Sequence, residues 1–330
     1  MFSTLKKIMA VTQATALEGL QQPVTLLLTL AALMLTVLQP LVHLYAFGEG
    51  GRLTRDSGLA FMLVFGILVA AFTSGHTLAR EISRGTVATA IAKPISRTAF
   101  LLGKFFGALL VIAVFCWCSV FAILFAERSA ERFIETQELM GHIRDTTCGL
   151  LALAMPVLAL ALAAFLNWRR HWRLGVWFFI LLSVLQPVLF LFLGFFRRDG
   201  AWLGFSTYDL AMDFRIVSAA ALVAMLLAVF SALATALSTR LQTGAAVVAS
   251  VAILFLGFLA DSQWGGSSGV LARAAYGMVP DVQHFWVVDA LADGGRIPGT
   301  YVLHVGVYAV TYIVFVLLVG SWSFKSRDLG

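Results

Sequence analysis

The chain has 330 residues, 60% of them hydrophobic and only 12% charged, and its 23 basic and 17 acidic side chains give a formal net charge of +6. A soluble domain carries about 25% charged residues, and a mean hydropathy of +0.92 leaves more apolar surface than a water-facing fold can bury. These figures exclude a secreted domain, a soluble enzyme and a nucleic-acid binder of the basic-patch kind, and they specify an all-α integral membrane protein.

In chain order, residues 1–22 come first as an amphipathic interfacial helix, with Ile8, Val11 and Thr15 on one face. Lys6 and Lys7 are followed by a polar stretch with Glu18 and then by an apolar run too long for a signal peptide, so this segment is not a cleaved leader. A bilayer core about 30 Å thick needs about 20 apolar residues per helix. Eight runs meet that measure: 23–47, 58–78, 100–125, 147–166, 174–196, 216–237, 244–260 and 301–322. Residues 23–330 therefore form a single transmembrane domain, a polytopic helical bundle with no connection long enough for a separate soluble domain.

The connections carry the remaining information. Residues 79–99 lie between the second and third runs. Residues 127–144 alternate acids and bases around Ala130, Phe133, Ile134 and Met140, which predicts an amphipathic surface helix. Residues 261–300 have a Gly-rich start and an apolar Phe285-Trp286-Val287-Val288 core, which predicts either a re-entrant hairpin or a cap on the bundle. Asp281 directly after Pro280 reads as a helix cap, and a metal group of Asp281, His284, Asp289 and Asp293 is the weaker reading.

Charge sets the orientation. With both termini cytoplasmic, the inner side holds 13 basic residues against Glu18, Glu81 and Asp328, and the outer side holds 10 basic against 14 acidic residues. The inner charges are concentrated in short loops such as Trp168-Arg169-Arg170-His171-Trp172-Arg173, as the positive-inside rule requires. This predicts a multi-pass protein of the cell inner membrane.

Few residues point to chemistry in this chain. Gly103-Lys104 has Thr98 and Phe105 where a phosphate-binding loop needs Gly and Ser or Thr, and no zinc-protease motif occurs. Cys116 and Cys118 point about 200° apart on a helix, which argues against a shared metal. No carboxylate or histidine sits at mid-membrane depth, where ion-coupled carriers place them; Lys104, His76 and Asn167 fall near inner span ends and His43 and His304 near outer ones. Pro156, Gln186 and Pro187 interrupt two spans as kinks satisfied by neighbouring helices. Uncharged spans favour lipids or amphipathic molecules over small ions as substrate.

The most structured connection is the second. Arg80, Glu81 and Arg84 open it, and Gly85-Thr86 permits a bend. Val87 and Ile91 form an apolar i, i+4 pair on a short helix that Lys93-Pro94 must end. Ile95 leads to Ser96, which can cap the next span, and Arg97 can reach a lipid phosphate or a partner's acid. A compact, hinge-bounded helix between two spans suits the transmission of force from a cytoplasmic partner.

Arg80-Glu81, Gly85-Thr86, Lys93-Pro94-Ile95-Ser96-Arg97 and Phe100-Leu101-Leu102-Gly103-Lys104-Phe105-Phe106-Gly107 together resemble the cytoplasmic signature of permease subunits of type 2 ABC transporters. That exporter-like class includes permeases linked to copper-enzyme maturation, gliding motility and sodium export. The turn around Ser238-Thr239-Arg240, the segment from Val279 to Leu291 and the charged ending Phe324-Lys325-Ser326-Arg327-Asp328-Leu329 resemble the family in the expected order. The resemblance implies that Arg80, Glu81, Arg84, Gly85, Thr86, Val87, Ile91, Lys93, Pro94, Ile95, Ser96 and Arg97 couple to a separate ATPase subunit, with the N-terminal helix as a second contact. It implies ATP and Mg on that partner with no cofactor in this chain, two permease chains around one pathway, lipid contact, and no nucleic acid. The family core has six spans, so the eight runs are read as that core plus an extra hairpin at 147–196. An ion-coupled carrier or channel, and a non-transporting membrane scaffold, are the alternative functions.

Overall fold

A segment surrounded by lipid must close its backbone hydrogen bonds internally, and the apolar runs do so as helices. The computed structural model describes residues 2–42, 49–83, 96–136, 139–199, 201–204, 208–264 and 279–326. Among them are nine α-helices: α1 (Phe2–Gln21), α2 (Pro23–Val42), α3 (Gly50–Ser83), α4 (Arg97–Ser129), α5 (Thr146–Arg170), α6 (Leu174–Leu193), α7 (Arg215–Leu237), α8 (Thr243–Trp264) and α9 (Gly299–Lys325). Seven of these, α2 to α7 and α9, are long and apolar enough to cross a membrane.

The expected surface helix at 127–144 is corrected by the structure. Helix α4 runs on to Ser129 and ends at Ala130, whose backbone is extended (φ −67°, ψ 148°). Strands β1 (Arg132–Thr136) and β2 (Leu139–Ile143) then pair antiparallel, Arg132 opposite Ile143 through Thr136 opposite Leu139. The two charges on β1, Arg132 and Glu135, stand three residues apart, a spacing that does not by itself choose between helix and strand.

The eighth run forms α8, 22 residues or about 33 Å at 1.5 Å per residue, the thickness of a bilayer core. The end of α7 and the end of α9 lie together, Arg240 bonding to Ser323, so α8 leads the chain toward the far end where α9 begins. The far half of α8 is packed by the connection that follows it. Residues 279–291 descend into the bundle: the Asp281 backbone N–H donates to the Tyr308 hydroxyl (3.1 Å), about 14 Å along α9 from Gly299 at 1.5 Å per residue. Gln283 reaches the Phe258 carbonyl on α8 (3.2 Å), and Tyr301 donates to the His284 carbonyl (3.0 Å). Val282, Phe285, Val288 and Leu291 are buried there in the main core. Asp281 holds Gln283 N–H (3.0 Å) and the His284 ring (2.8 Å) in the turn, while residues 265–278 of this connection lie outside the described residues.

Two apolar cores divide the bundle. The larger joins α3, α4, α7, α9 and residues 282–291, and the smaller joins α2, α4, α5 and α6. Helix α4 belongs to both, and its cysteines show how: Cys116 faces the larger core and Cys118 the smaller, as their two-residue spacing dictates. Helix α6, which carries Pro187 in its interior, is tied to α4 where Gln186 Nε2 donates to the Cys118 carbonyl (3.1 Å). The α5–α6 hairpin thus sits to one side of the main core, against α2 and α4.

Candidate functional site

The connection between α3 and α4 emerges at one end of the bundle. Arg80 and Glu81 occupy the last turns of α3. Arg84, Gly85, Thr86, Val87, Ile91, Lys93, Pro94 and Ile95 lie outside the described residues, so the site is built from the elements that flank them. Ser96 caps α4 as its sequence predicts, its Oγ accepting from the Ala99 N–H (3.2 Å). Arg97 turns inward to its own chain: Nη1 donates to the Lys325 carbonyl (2.9 Å) and the Phe324 carbonyl (3.3 Å) at the end of α9. One turn of contact follows at Thr98 and Ser321, whose hydroxyls are 3.1 Å apart.

Arg240, in the turn between α7 and α8, completes the arrangement with Nη2 to the Ser323 carbonyl (3.1 Å) and the Ser326 Oγ (2.7 Å). The last carbonyls of a helix have no partners within it and carry the negative end of its dipole. Two guanidiniums from different elements satisfy them here, so the start of α4, the α7–α8 turn and the end of α9 are joined.

Helix α1 packs along the first turns of α4, and the reason is glycine. A Cβ at Gly103 would stand 2.7 Å from Val11 Cβ, and one at Gly107 would stand 2.5 Å from Thr15 Cβ. Only glycine at both positions of this Gly-x-x-x-Gly pair lets the backbones approach, the device by which membrane helices gain packing without a hydrophobic drive. Val11 and Thr15 are the face that amphipathicity singled out, but it meets α4 instead of lipid. Thr12 Oγ1 adds a hydrogen bond to the Gly103 carbonyl (3.3 Å). The end of α1 rests against α6, where the Leu20 carbonyl occupies the space a Cβ at Gly175 would need.

Two polar residues that the sequence places near inner span ends are contacted from α1 and from Gln22, the residue that follows it. Lys104 is buried, its Nζ 4.0 Å from Glu18 Oε2 and 5.6 Å from the centre of the Phe100 ring. His76 Nδ1 lies 2.8 Å from Gln22 Nε2. Helices α1, α3 and α4 are therefore linked beside the connection by polar contacts as well as by close packing.

At the opposite end, sequence reasoning missed a second junction. Arg128, fully buried, donates through Nε to Asp145 (2.9 Å), through Nη1 to the carbonyls of Leu193 (2.9 Å) and Leu210 (3.0 Å), and through Nη2 to that of Phe196 (2.7 Å). Asp145 also caps α5 by accepting from the Cys148 N–H (2.8 Å). One guanidinium thereby fastens the end of α4, the start of α5, the end of α6 and the loop before α7. The signal was available: an arginine at the end of a 33-residue helix is followed within twenty residues by an aspartate in a helix-capping position.

Comparison with curated proteins gives no match. The profile of the ABC-2 family transporter proteins matches residues 3–197, a stretch that takes in α1, the 84–95 connection, the Gly103–Gly107 packing motif and the α5–α6 hairpin. With the multi-pass helical bundle described above, that match over more than half of its length shows that the chain belongs to the ABC-2 family of transporter proteins.

Proposed function

We propose that this chain is the permease subunit of an exporter-like ABC transporter, moving its substrate with ATP hydrolysed, with Mg, on a separate nucleotide-binding subunit. Membership of the family makes it a membrane permease of an ABC transporter and implies an ABC ATPase as partner. The finer reading assigns the coupling surface to Arg80, Glu81, Arg84, Gly85, Thr86, Val87, Ile91, Lys93, Pro94, Ile95, Ser96 and Arg97, at the inner face of the cell membrane with both termini cytoplasmic. Two such chains would enclose one pathway, and the uncharged spans favour a lipid or amphipathic substrate.

One observation carries this reading. The 84–95 connection joins two of the longest helices in the chain, and both ends of it are mechanically tied: α3 and α4 to α1 through Gln22, Glu18, Gly103 and Gly107, and α4 to α9 and α7 through Arg97 and Arg240. A push on the connection from a nucleotide-driven partner is thus delivered to five helices together. Such delivery to elements with two discrete arrangements is what alternating access or lateral extrusion needs.

The test is to purify the chain gently from its native membrane, identify its partner, and measure ATP hydrolysis with and without Glu81→Ala and Arg84→Ala. A co-purifying ATPase whose activity loses its dependence on the permease in the double variant supports the assignment. Arrival of the chain alone, with conformation indifferent to nucleotide, overturns it in favour of a carrier or scaffold.

A further inference from the structure

At the end of the bundle opposite the 84–95 connection, residues 208–215 and β1 border an open cavity of about 760 Å³. Three guanidiniums line it from three separate elements: Arg132 on β1, Arg198 after α6, and Arg215 at the first position of α7. Their charges are not equally answered. Arg215 is held by both oxygens of Asp213, Nε at 2.8 Å and Nη2 at 2.7 Å, and Arg132 is paired with Glu127. Arg198 donates only to a neutral oxygen, the Ala211 carbonyl at 2.5 Å, and among the described residues no carboxylate lies within ion-pair distance of it.

Further cations stand behind these. Arg55 shares the Asp213 carboxylate at 4.0 Å, and the buried Arg128 is spoken for by Asp145. Burial first, and then the charge of Arg198, hold the Arg132 guanidinium below its ordinary pKa; burial and then the charge of Arg128 do the same to Arg198. Cations so crowded favour a bound anion. The wall is also shaped at some cost: Ala211 is held at φ +47°, a left-handed backbone that a non-glycine residue rarely adopts, with its N–H fixed by Asp209 Oδ1 (2.9 Å).

We propose that this cavity is a binding site for a phosphate group, with Arg198 as its principal anchor and Arg132 beside it. Guanidiniums present planar forks of donors that suit phosphate oxygens, and a cavity of this size admits a whole headgroup. Exposed Tyr208 and Phe214 at its edge are amphipathic and apolar surfaces of the kind found at the membrane interface. The phosphate is either the phosphodiester of an anionic phospholipid or free inorganic phosphate. The site stands apart from the coupling surface and does not depend on the transport reading.

The experiment uses the full chain in nanodiscs of phosphatidylcholine. One arm titrates inorganic phosphate by calorimetry, and the other dopes the discs with phosphatidylglycerol and counts retained lipids by native mass spectrometry. Arg198→Gln is expected to weaken binding about tenfold, the loss of a charge-assisted contact. Asp209→Asn, which keeps the oxygen that accepts from Ala211 but removes a negative charge from the wall, is expected to tighten it about fivefold. These trends with inorganic phosphate identify a soluble ligand; with phosphatidylglycerol alone they identify a lipid. Binding of neither probe, or binding that Arg198→Gln leaves unchanged, overturns the proposal. Should Arg198→Gln fail to fold, absence of tightening in Asp209→Asn overturns it equally.

Discussion

Arg128 is a charge wholly out of water, kept there by one carboxylate and three carbonyls. Removing one member of such a set leaves the rest unpaired, at a cost of about 3–5 kcal/mol. Arg128→Met is therefore expected to lower the melting temperature of the purified chain steeply, and Arg128→Lys to recover only part of it, because an ammonium cannot reach four acceptors in one plane. Asp213 makes a pH prediction. Burial pushes its carboxyl up, but the hydrogen bonds and charge of Arg215 and the charge of Arg55 outweigh burial and hold it below its ordinary value of 3.8. A depressed folded pKa means that Asp213 stabilises the fold above about pH 4 and loses that contribution as the pH falls through the folded value. Asp213→Asn is expected to flatten the acid side of a melting-temperature profile while leaving its neutral side lower throughout. Arg128 left a signal only in the capping Asp145 that follows it, and Asp213 counts in the sequence merely as a charge outside the apolar runs. Most of their partners are backbone carbonyls or lie in other elements, and composition does not record either.

Elements were far more legible. A span must be apolar for about 20 residues, so every crossing helix announced itself, and Ser96 marked the start of α4 by its capping chemistry. The β1–β2 hairpin was misread because charged and apolar residues occur at spacings that fit both periods over so short a stretch, and the end of α4 at Ala130 decided between them. A stripe of Ile8, Val11 and Thr15 on α1 fits a lipid surface or a glycine groove equally, and Val11 and Thr15 lie in the groove over Gly103 and Gly107. Gly107→Leu is expected to lift α1 from α4, costing about 1–3 kcal/mol by overpacking and raising hydrogen exchange along α1. Gly244→Ala, where an added Cβ meets nothing within 4 Å, serves as the control and is expected to leave both unchanged.

At the scale of the whole molecule, the sequence indicated the number of apolar runs and the class of protein but not how the last helices pack. Periodicity describes one segment at a time, whereas the far half of α8 is packed by residues 279–291, which descend beside it from the far side of a connection. That arrangement has a consequence for biogenesis. The groups that fasten α8 there, Gln283 on the Phe258 carbonyl and Asp281 on Tyr308 of α9, are made later by the ribosome than α8 itself. In chains truncated after Trp264, amide hydrogen exchange along residues 250–259 is expected to be faster than in the full chain. The helix is inserted first and locked afterwards, by residues that reach it only when synthesis is almost over.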